Sequence, residues 1–205
     1  SVFHKWTGVI PEGFTLHNYV DLFMDSNFLA SVGRSIAMSI IPIIVTIVIV
    51  LLALFVTAIY FPKLEKYVQI ICMIPYTIQG VILSVSILSL YVGSSSILSN
   101  RLVMLMGAYC IVILPYIYQG IRNGMRAVNM PTLIEAAEML GASKIYAFFR
   151  VVVPNILSAI IVSSLLAVGI IFGDYVLIRN LAGTSAPNMQ IFLYQTMKSD
   201  STKAS

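Results

Sequence analysis

Residues 135–154 read EAAEMLGASKIYAFFRVVVP and lie in a polar loop between two apolar runs, each long enough to cross a bilayer. Placed on a helix, four residues of this region share one apolar face at i, i+3, i+4, i+7 spacing: Leu133, Ala136, Ala137 and Leu140. The small alanines would let another surface approach closely, and Gly141 permits a turn into a second short helix from about Lys144. The stretch therefore predicts a docking element rather than a linker.

The same stretch resembles the signature loop of the inner-membrane subunits of binding-protein-dependent ATP-binding-cassette (ABC) importers. Every spacing of that signature is present: Glu-Ala-Ala, three residues, Gly, nine residues, aliphatic-x-aliphatic-Pro, with Val151 and Val153 where Ile and Leu are usual. The resemblance implies a cytoplasmic coupling helix that sits in a groove of a separate ATPase subunit. It assigns the coupling role to Glu135, Ala136, Ala137, Leu140, Gly141 and Pro154.

A simpler interpretation of Glu135 is that it only begins a helix. Thr132-x-x-Glu135 has the spacing of a capping box, and Pro131 disfavours helical geometry at Met130. This interpretation leaves Gly141 and Pro154 unexplained, and it is compatible with a coupling role.

Composition places the chain among polytopic membrane proteins. It is 59% hydrophobic, 10% charged and has a mean hydropathy of +0.96, whereas a soluble domain is about 25% charged. The basic balance rests on few charges, and no Lys/Arg cluster alternates with aromatics, so we expect no nucleic-acid partner. Cys72, Cys110, His4 and His17 have no ligand spacing, so we expect no metal site.

The hydrophobic pattern predicts an all-α transmembrane bundle forming one domain over residues 1–205. Its four predicted spans are about 36–61, 67–91, 102–121 and 151–178, and the coupling loop is 122–150. Lys and Arg are about twice as dense on the side of the 62–66 turn and the 122–150 loop, which favours a cytoplasmic loop and chain ends outside the cytoplasm of a bacterial inner membrane. Residues 10–20 resemble the extracytoplasmic segment after the first helix of these permeases, so we expect a fragment holding the second to fifth of about six helices.

Solute-pathway candidates are polar residues within the spans: Gln79, Ser84, Tyr109, Asp174 and Tyr175. Asp174 is the one ionisable residue inside a predicted span, and such residues are functional candidates because a charge is costly in lipid. It could instead be an interfacial residue near Arg179, and Gln79 and Ser84 could form packing hydrogen bonds.

The resemblance implies a non-catalytic permease subunit of an ATP-driven importer. Its partners would be an ABC ATPase, a second permease subunit (identical or related), an extracytoplasmic solute-binding protein and the bilayer. The chain lacks G-x-x-x-x-G-K-[S/T], so we expect no cofactor in this chain, with ATP and Mg bound by the ATPase subunit. The segment from Asp174 to Ile191 is similar to permeases for polyamines, then for phosphonates or ferric iron. Rival classes are a secondary transporter and a non-transporting assembly subunit, but repeated halves and several intramembrane charges are missing.

Overall fold

The structure, a computed structural model, describes residues 3–5, 12–14, 24, 26–78, 80–91, 100–183 and 189–199. Near the start, strands β1 (Phe3–Lys5) and β2 (Glu12–Phe14) form an antiparallel ribbon in which Phe3 lies opposite Phe14. The rest of the described chain is helical apart from short turns, which confirms the predicted all-α architecture.

Helix α1 (Ser26–Ile59) begins well before the predicted span at Ile36. The additional turns contain serines whose hydroxyls donate to carbonyls of their own helix: Ser31 Oγ lies 2.7 Å from the oxygen of Phe28, and Ser35 Oγ lies 3.0 Å from that of Ser31. Because these bonds satisfy the hydroxyls inside the helix, polar residues can extend an apolar helix.

The second apolar run is a broken helix. A 3₁₀ turn (Pro62–Leu64) leads into α2 (Glu65–Met73), a second 3₁₀ turn spans Ile74–Thr77, and α3 covers Gly80–Tyr91. Pro75 lies in the second turn, where its missing N–H and fixed φ interrupt an α-helix. The two halves of this run differ in direction by 98°.

Helix α4 (Arg101–Ala127) is the centre of the bundle. Asn100 caps it by accepting a hydrogen bond of 3.0 Å from the backbone N–H of Leu102. Ile113, Ile117 and Ile121 are fully buried, since α4 packs against both α1 and the last long helix.

Five elements follow α4: α5 (Met130–Met139), α6 (Lys144–Ala147), a π-helical turn (Phe148–Val152), α7 (Val153–Asn155) and α8 (Leu157–Gly173). A second π-helical turn (Ile178–Ala182) and α9 (Met189–Ser199) close the described chain. The backbone N–H of Met189 donates to Ser35 Oγ at 3.0 Å, which ties α9 back to α1.

Two glycines let α4 and α8 approach very closely. A Cβ added at Gly120 would lie 2.5 Å from the Cβ of Ser163, and one added at Gly124 would lie 2.6 Å from the Cβ of Ala159. Small residues one turn apart on both helices thus allow contact between backbones, which is the packing that holds helices together in lipid.

Within the described part of the chain, two helices, α1 and α4, are each long and apolar enough to cross a membrane. The number rises to four if each bent pair is one broken span: Pro62–Thr77 with Gly80–Leu90, and Lys144–Asn155 with Leu157–Gly173, the latter bent by 64°. The exact four-span boundaries stay a prediction.

Candidate functional site

The loop between α4 and α8 folds into two short helices, α5 and α6. The residue before α5, Asn129, has φ +49°, a left-handed conformation that asparagine tolerates better than most residues. Asn129 makes no side-chain capping bond, and Pro131 lies within the first helical turn. The predicted capping box of Thr132 and Glu135 is therefore wrong, because the helix starts before Thr132.

The turn between α5 and α6 is closed by a Schellman motif at Gly141. The N–H of Ala142 donates to the oxygen of Ala137 at 3.0 Å, and the N–H of Gly141 donates to that of Glu138 at 2.9 Å. Gly141 has φ +84°, so the predicted role of this glycine as a turn residue is confirmed.

Helix α6 starts at Lys144, where the sequence predicts it. Ser143 caps it by accepting a 3.3 Å hydrogen bond from the N–H of Tyr146. Lys144 Nζ also lies 3.9 Å from Glu138 Oε1, so an ion pair crosses the turn. We call residues 130–147 the α5–α6 hairpin.

The residues predicted to share one apolar face of the α5–α6 hairpin are partly buried and partly exposed. Ala137 is buried with Met130 and Ile134 against the chain itself, whereas Ala136 is exposed. Leu140 is 89% exposed, because α5 ends at Met139 and the turn at Gly141 directs the chain away. Glu135 is exposed as well.

Phenylalanines anchor the α5–α6 hairpin to the helical bundle. Phe148, fully buried, has its ring centroid 4.8 Å from that of Phe55 on α1, and Phe149 lies 6.1 Å from Phe55. The π-helical turn that contains both phenylalanines continues into α7, where Pro154 is exposed near the N-terminus of that helix. Buried aromatic contacts therefore join the end of the α5–α6 hairpin to α1, and the π-helical turn with α7 connects it to α8.

A charged cluster sits at the same end of the bundle. Arg122 Nη2 lies 2.8 Å from Glu65 Oε1, and Arg126 Nη2 lies 3.5 Å from the same oxygen. The cluster fastens the start of α2 to the end of α4, directly before the α5–α6 hairpin. Sequence reasoning missed it, since it joins residues far apart in the chain.

Asp174, the predicted ionisable pathway residue, lies just after α8 and is half-buried. The Tyr109 hydroxyl donates to Asp174 Oδ2 at 3.4 Å, and the N–H of Leu177 lies 3.4 Å from Oδ1. The structure thus brings two predicted pathway residues, Asp174 and Tyr109, together across α4 and α8.

Arg179 is not the ion-pair partner of Asp174 among the described residues. Its guanidinium donates to the Tyr175 hydroxyl, and its carbon Cζ lies 5.5 Å from the Tyr175 ring centroid and 5.3 Å from that of Tyr194. The two ring centroids are 5.1 Å apart, so the guanidinium lies beside both rings, and a cation in that position gains from their quadrupoles. The suggested Asp174–Arg179 contact is therefore replaced by a cation–π cluster.

The remaining pathway candidates, Ser84 and Gln79, do not join the contact between Tyr109 and Asp174 in the described part of the chain. Ser84 is fully buried and accepts a 2.8 Å hydrogen bond from Asn180 Nδ2, so it fastens α3 to the turn after α8. Gln79 lies outside the described residues. Sequence reasoning missed Gln119 and Asn123, which are exposed on α4 at i, i+4 spacing. Two amide side chains that repeat with the helical period, in or next to an apolar run, could have indicated them.

Comparison with known proteins identifies one family. Residues 64–200, more than half of the chain, match the family described as binding-protein-dependent transport system inner membrane component. No curated protein matches the chain. The described residues bring together no group of three or more His, Cys, Asp or Glu that could hold a metal ion.

Proposed function

Because this chain belongs to the family of binding-protein-dependent transport system inner membrane components, we propose that its α5–α6 hairpin is the segment through which a separate ATPase drives it. The chain is a permease subunit of a type I ABC importer, and its partners include an ABC ATPase and a solute-binding protein. The coupling residues in this proposal are Glu135, Ala136, Leu140 and Gly141, with Ala137 and Pro154 supporting them.

The exposed apolar surface of the α5–α6 hairpin is the observation that carries this proposal. Met139 and Leu140 are each 89% exposed at the tip, and Ile145 and Tyr146 on α6 are more than half exposed. Contiguous apolar side chains on a polar loop usually mark a protein interface. The small Ala136 beside them lets the partner surface come close to α5.

The contacts below the hairpin support transmission of movement. Ala137, Ile134 and Met130 hold α5 to the chain, and Phe148 holds the end of the hairpin to Phe55. A force on the exposed tip therefore reaches α1 and α8 through buried contacts rather than through a mobile linker. Within the importer, this chain performs no catalytic step, and ATP with Mg is bound by the ATPase.

The complete transporter in this proposal contains two permease subunits, identical or related. The α5–α6 hairpin faces the cytoplasm, in keeping with the higher density of Lys and Arg on that side of the apolar runs. The binding protein would then deliver solute at the opposite end, where Asp174 and the Tyr175–Arg179–Tyr194 cluster lie.

A polyamine is the solute that this outer end favours. Asp174 supplies a carboxylate at this end, where it accepts from the Tyr109 hydroxyl. Arg179 lies against the Tyr175 and Tyr194 rings and forms no ion pair with this carboxylate among the described residues. Uptake of labelled polyamine, phosphonate and ferric iron by the reconstituted transporter separates the three solutes. Uptake of labelled phosphonate or ferric iron, with no uptake of labelled polyamine, would reject this choice.

The coupling proposal is tested by Leu140→Asp in the complete transporter. A charge at the exposed tip cannot disturb the core, but it would place an unpaired carboxylate in an apolar interface. We expect loss of ATPase co-purification and of uptake. Leu64→Asp is the matched control, since Leu64 is exposed on the turn before α2 but lies outside the hairpin. Equal ATPase recovery with both variants would refute the docking role.

A further inference from the structure

A mostly apolar groove, with amide and hydroxyl side chains along its α4 side, runs between α4 and α8. It encloses about 430 Å³ and is lined on α4 by Tyr116, Gln119 and Asn123, and on α8 by Val162 and Leu166. The three polar residues follow i, i+3, i+7 spacing, so they share one face of α4. We call these three residues the α4 polar stripe.

The α4 polar stripe is poorly suited to lipid. Gln119 Nε2 contacts only the thioether of Met73, at 3.3 Å, a weak acceptor, and Asn123 has no hydrogen-bond partner among the described residues. Gln119 lies inside the predicted span 102–121, where a poorly paired amide facing hydrocarbon would cost several kcal/mol. Asn123 lies just beyond that span, at the end of α4 where Arg122 and Arg126 contact Glu65. By contrast, Leu157, Ile161 and Leu165 share an apolar face of α8 outside the groove and are 51%, 51% and 66% exposed, as lipid contact requires.

The groove lies beside the break in the second apolar run. Tyr76, in the 3₁₀ turn at that break, is 60% exposed, and its ring centroid lies 5.3 Å from that of Tyr116. Interrupted membrane helices line solute sites in transporters, because irregular backbone is tolerated only where it borders protein or water. The Tyr76 ring, packed on Tyr116, therefore extends the α4 polar stripe towards α3.

We infer that the α4 polar stripe and Tyr76 line part of the water-filled solute pathway, and that this part admits solutes without net negative charge. The inference rests on the proposed importer function. The described lining residues of the groove offer amides, hydroxyls and ring faces but no cationic side chain that would stabilise an anion. The occupant of the groove is the solute with its water, rather than lipid or a permanently packed helix.

Thiol accessibility in the complete transporter tests this assignment. In a background with Cys72→Ala and Cys110→Ala, cysteines replace Gln119, Asn123 and, as the control, the lipid-facing Leu165. A charged, water-soluble thiol reagent should modify Asn123→Cys and Gln119→Cys at least about tenfold faster than Leu165→Cys, because thiolates react only where water reaches them. Solute should slow the modification of both groove cysteines.

Each alternative occupant has its own outcome. Reaction of Asn123→Cys only with an apolar reagent, as for Leu165→Cys, would show a lipid-facing surface and overturn the inference. Disulfide formation between Asn123→Cys residues of two permease subunits, without reagent access, would show a packed interface and overturn it as well. ATPase co-purification is measured on the same samples. If the cysteine variants still co-purify with the ATPase but their groove cysteines do not react, the pathway assignment alone is rejected. Loss of ATPase co-purification in Leu140→Asp tests the coupling proposal separately.

Asn123→Lys and its uncharged control of similar length, Asn123→Met, test the charge preference. Lysine should reduce uptake of a cationic solute well below the level of the methionine variant, since only lysine adds a positive charge. Equal uptake by the two variants would overturn the charge preference.

Discussion

Replacing Gly124 with alanine should weaken the contact between α4 and α8. The added Cβ would lie 2.6 Å from the Cβ of Ala159 and 3.5 Å from that of Ile156, whereas carbon atoms pack at about 3.5–4.0 Å. Both neighbouring atoms are fixed to backbone, so the helices must separate by roughly 1 Å. Overpacking of this kind costs about 1–3 kcal/mol, and alanine recovers up to about 1 kcal/mol of helix propensity.

The net loss of up to about 2 kcal/mol should lower Tm by up to roughly 6 °C for a chain of this size. Thermal unfolding of the purified protein in detergent measures it. Gly107→Ala is the matched control, since a Cβ at Gly107 meets no atom within 4 Å, so this variant should be neutral or stabilising. Ala159→Gly should restore the Gly124→Ala protein. A Gly124→Ala protein as stable as Gly107→Ala, or one that Ala159→Gly fails to restore, would refute the close-packing argument.

Four further predictions concern other parts of the chain. Gly141→Val should cost about 1–2 kcal/mol through its positive φ alone and uncouple ATP hydrolysis from uptake, whereas Gly141→Asn should retain coupling; normal uptake by the valine variant would contradict this. Glu65→Gln should cost about 1–2 kcal/mol in thermal unfolding by releasing Arg122, which is 16% exposed, and a loss that disappears in Arg122→Gln would identify the pair. Tyr109→Phe and Asp174→Asn should lower stability by similar amounts, about 0.5–1.5 kcal/mol, if their hydrogen bond is structural; a stable Asp174→Asn protein with reduced cation uptake would instead place Asp174 in the pathway. Ser143→Cys, in a cysteine-free background, should be labelled by an impermeant reagent only from the cytoplasmic side, and labelling in intact cells would reverse the topology.

Features set by local conformational rules were predictable from the sequence. The turn at Gly141 and the helix start at Lys144 follow from the need for a left-handed residue and a serine cap, which involve only neighbouring residues. The helical architecture of the apolar runs was predictable as well. A single span in lipid can satisfy its backbone hydrogen bonds only within its own helix, so a long uncharged run indicates a helix.

Features set by tertiary packing were not predictable. The i, i+3, i+4 pattern placed Ala136 and Ala137 on one face, but packing against the bundle buries Ala137 and leaves Ala136 exposed. Arg179 was expected near Asp174, yet Tyr194 supplies a ring from another helix that no local pattern reveals. The predicted capping box failed because a left-handed Asn129 starts α5 earlier.

Under the proposed coupling role, the Schellman turn affects the affinity of the ATPase for this chain. Its hydrogen bonds lie within this chain, so the hairpin has its shape before any partner arrives. Fixing the backbone of Leu140–Ala142 costs about 1–2 kcal/mol of conformational entropy per residue, and folding rather than docking bears that cost. A partner that docks on a preformed surface binds more tightly for the same contact area.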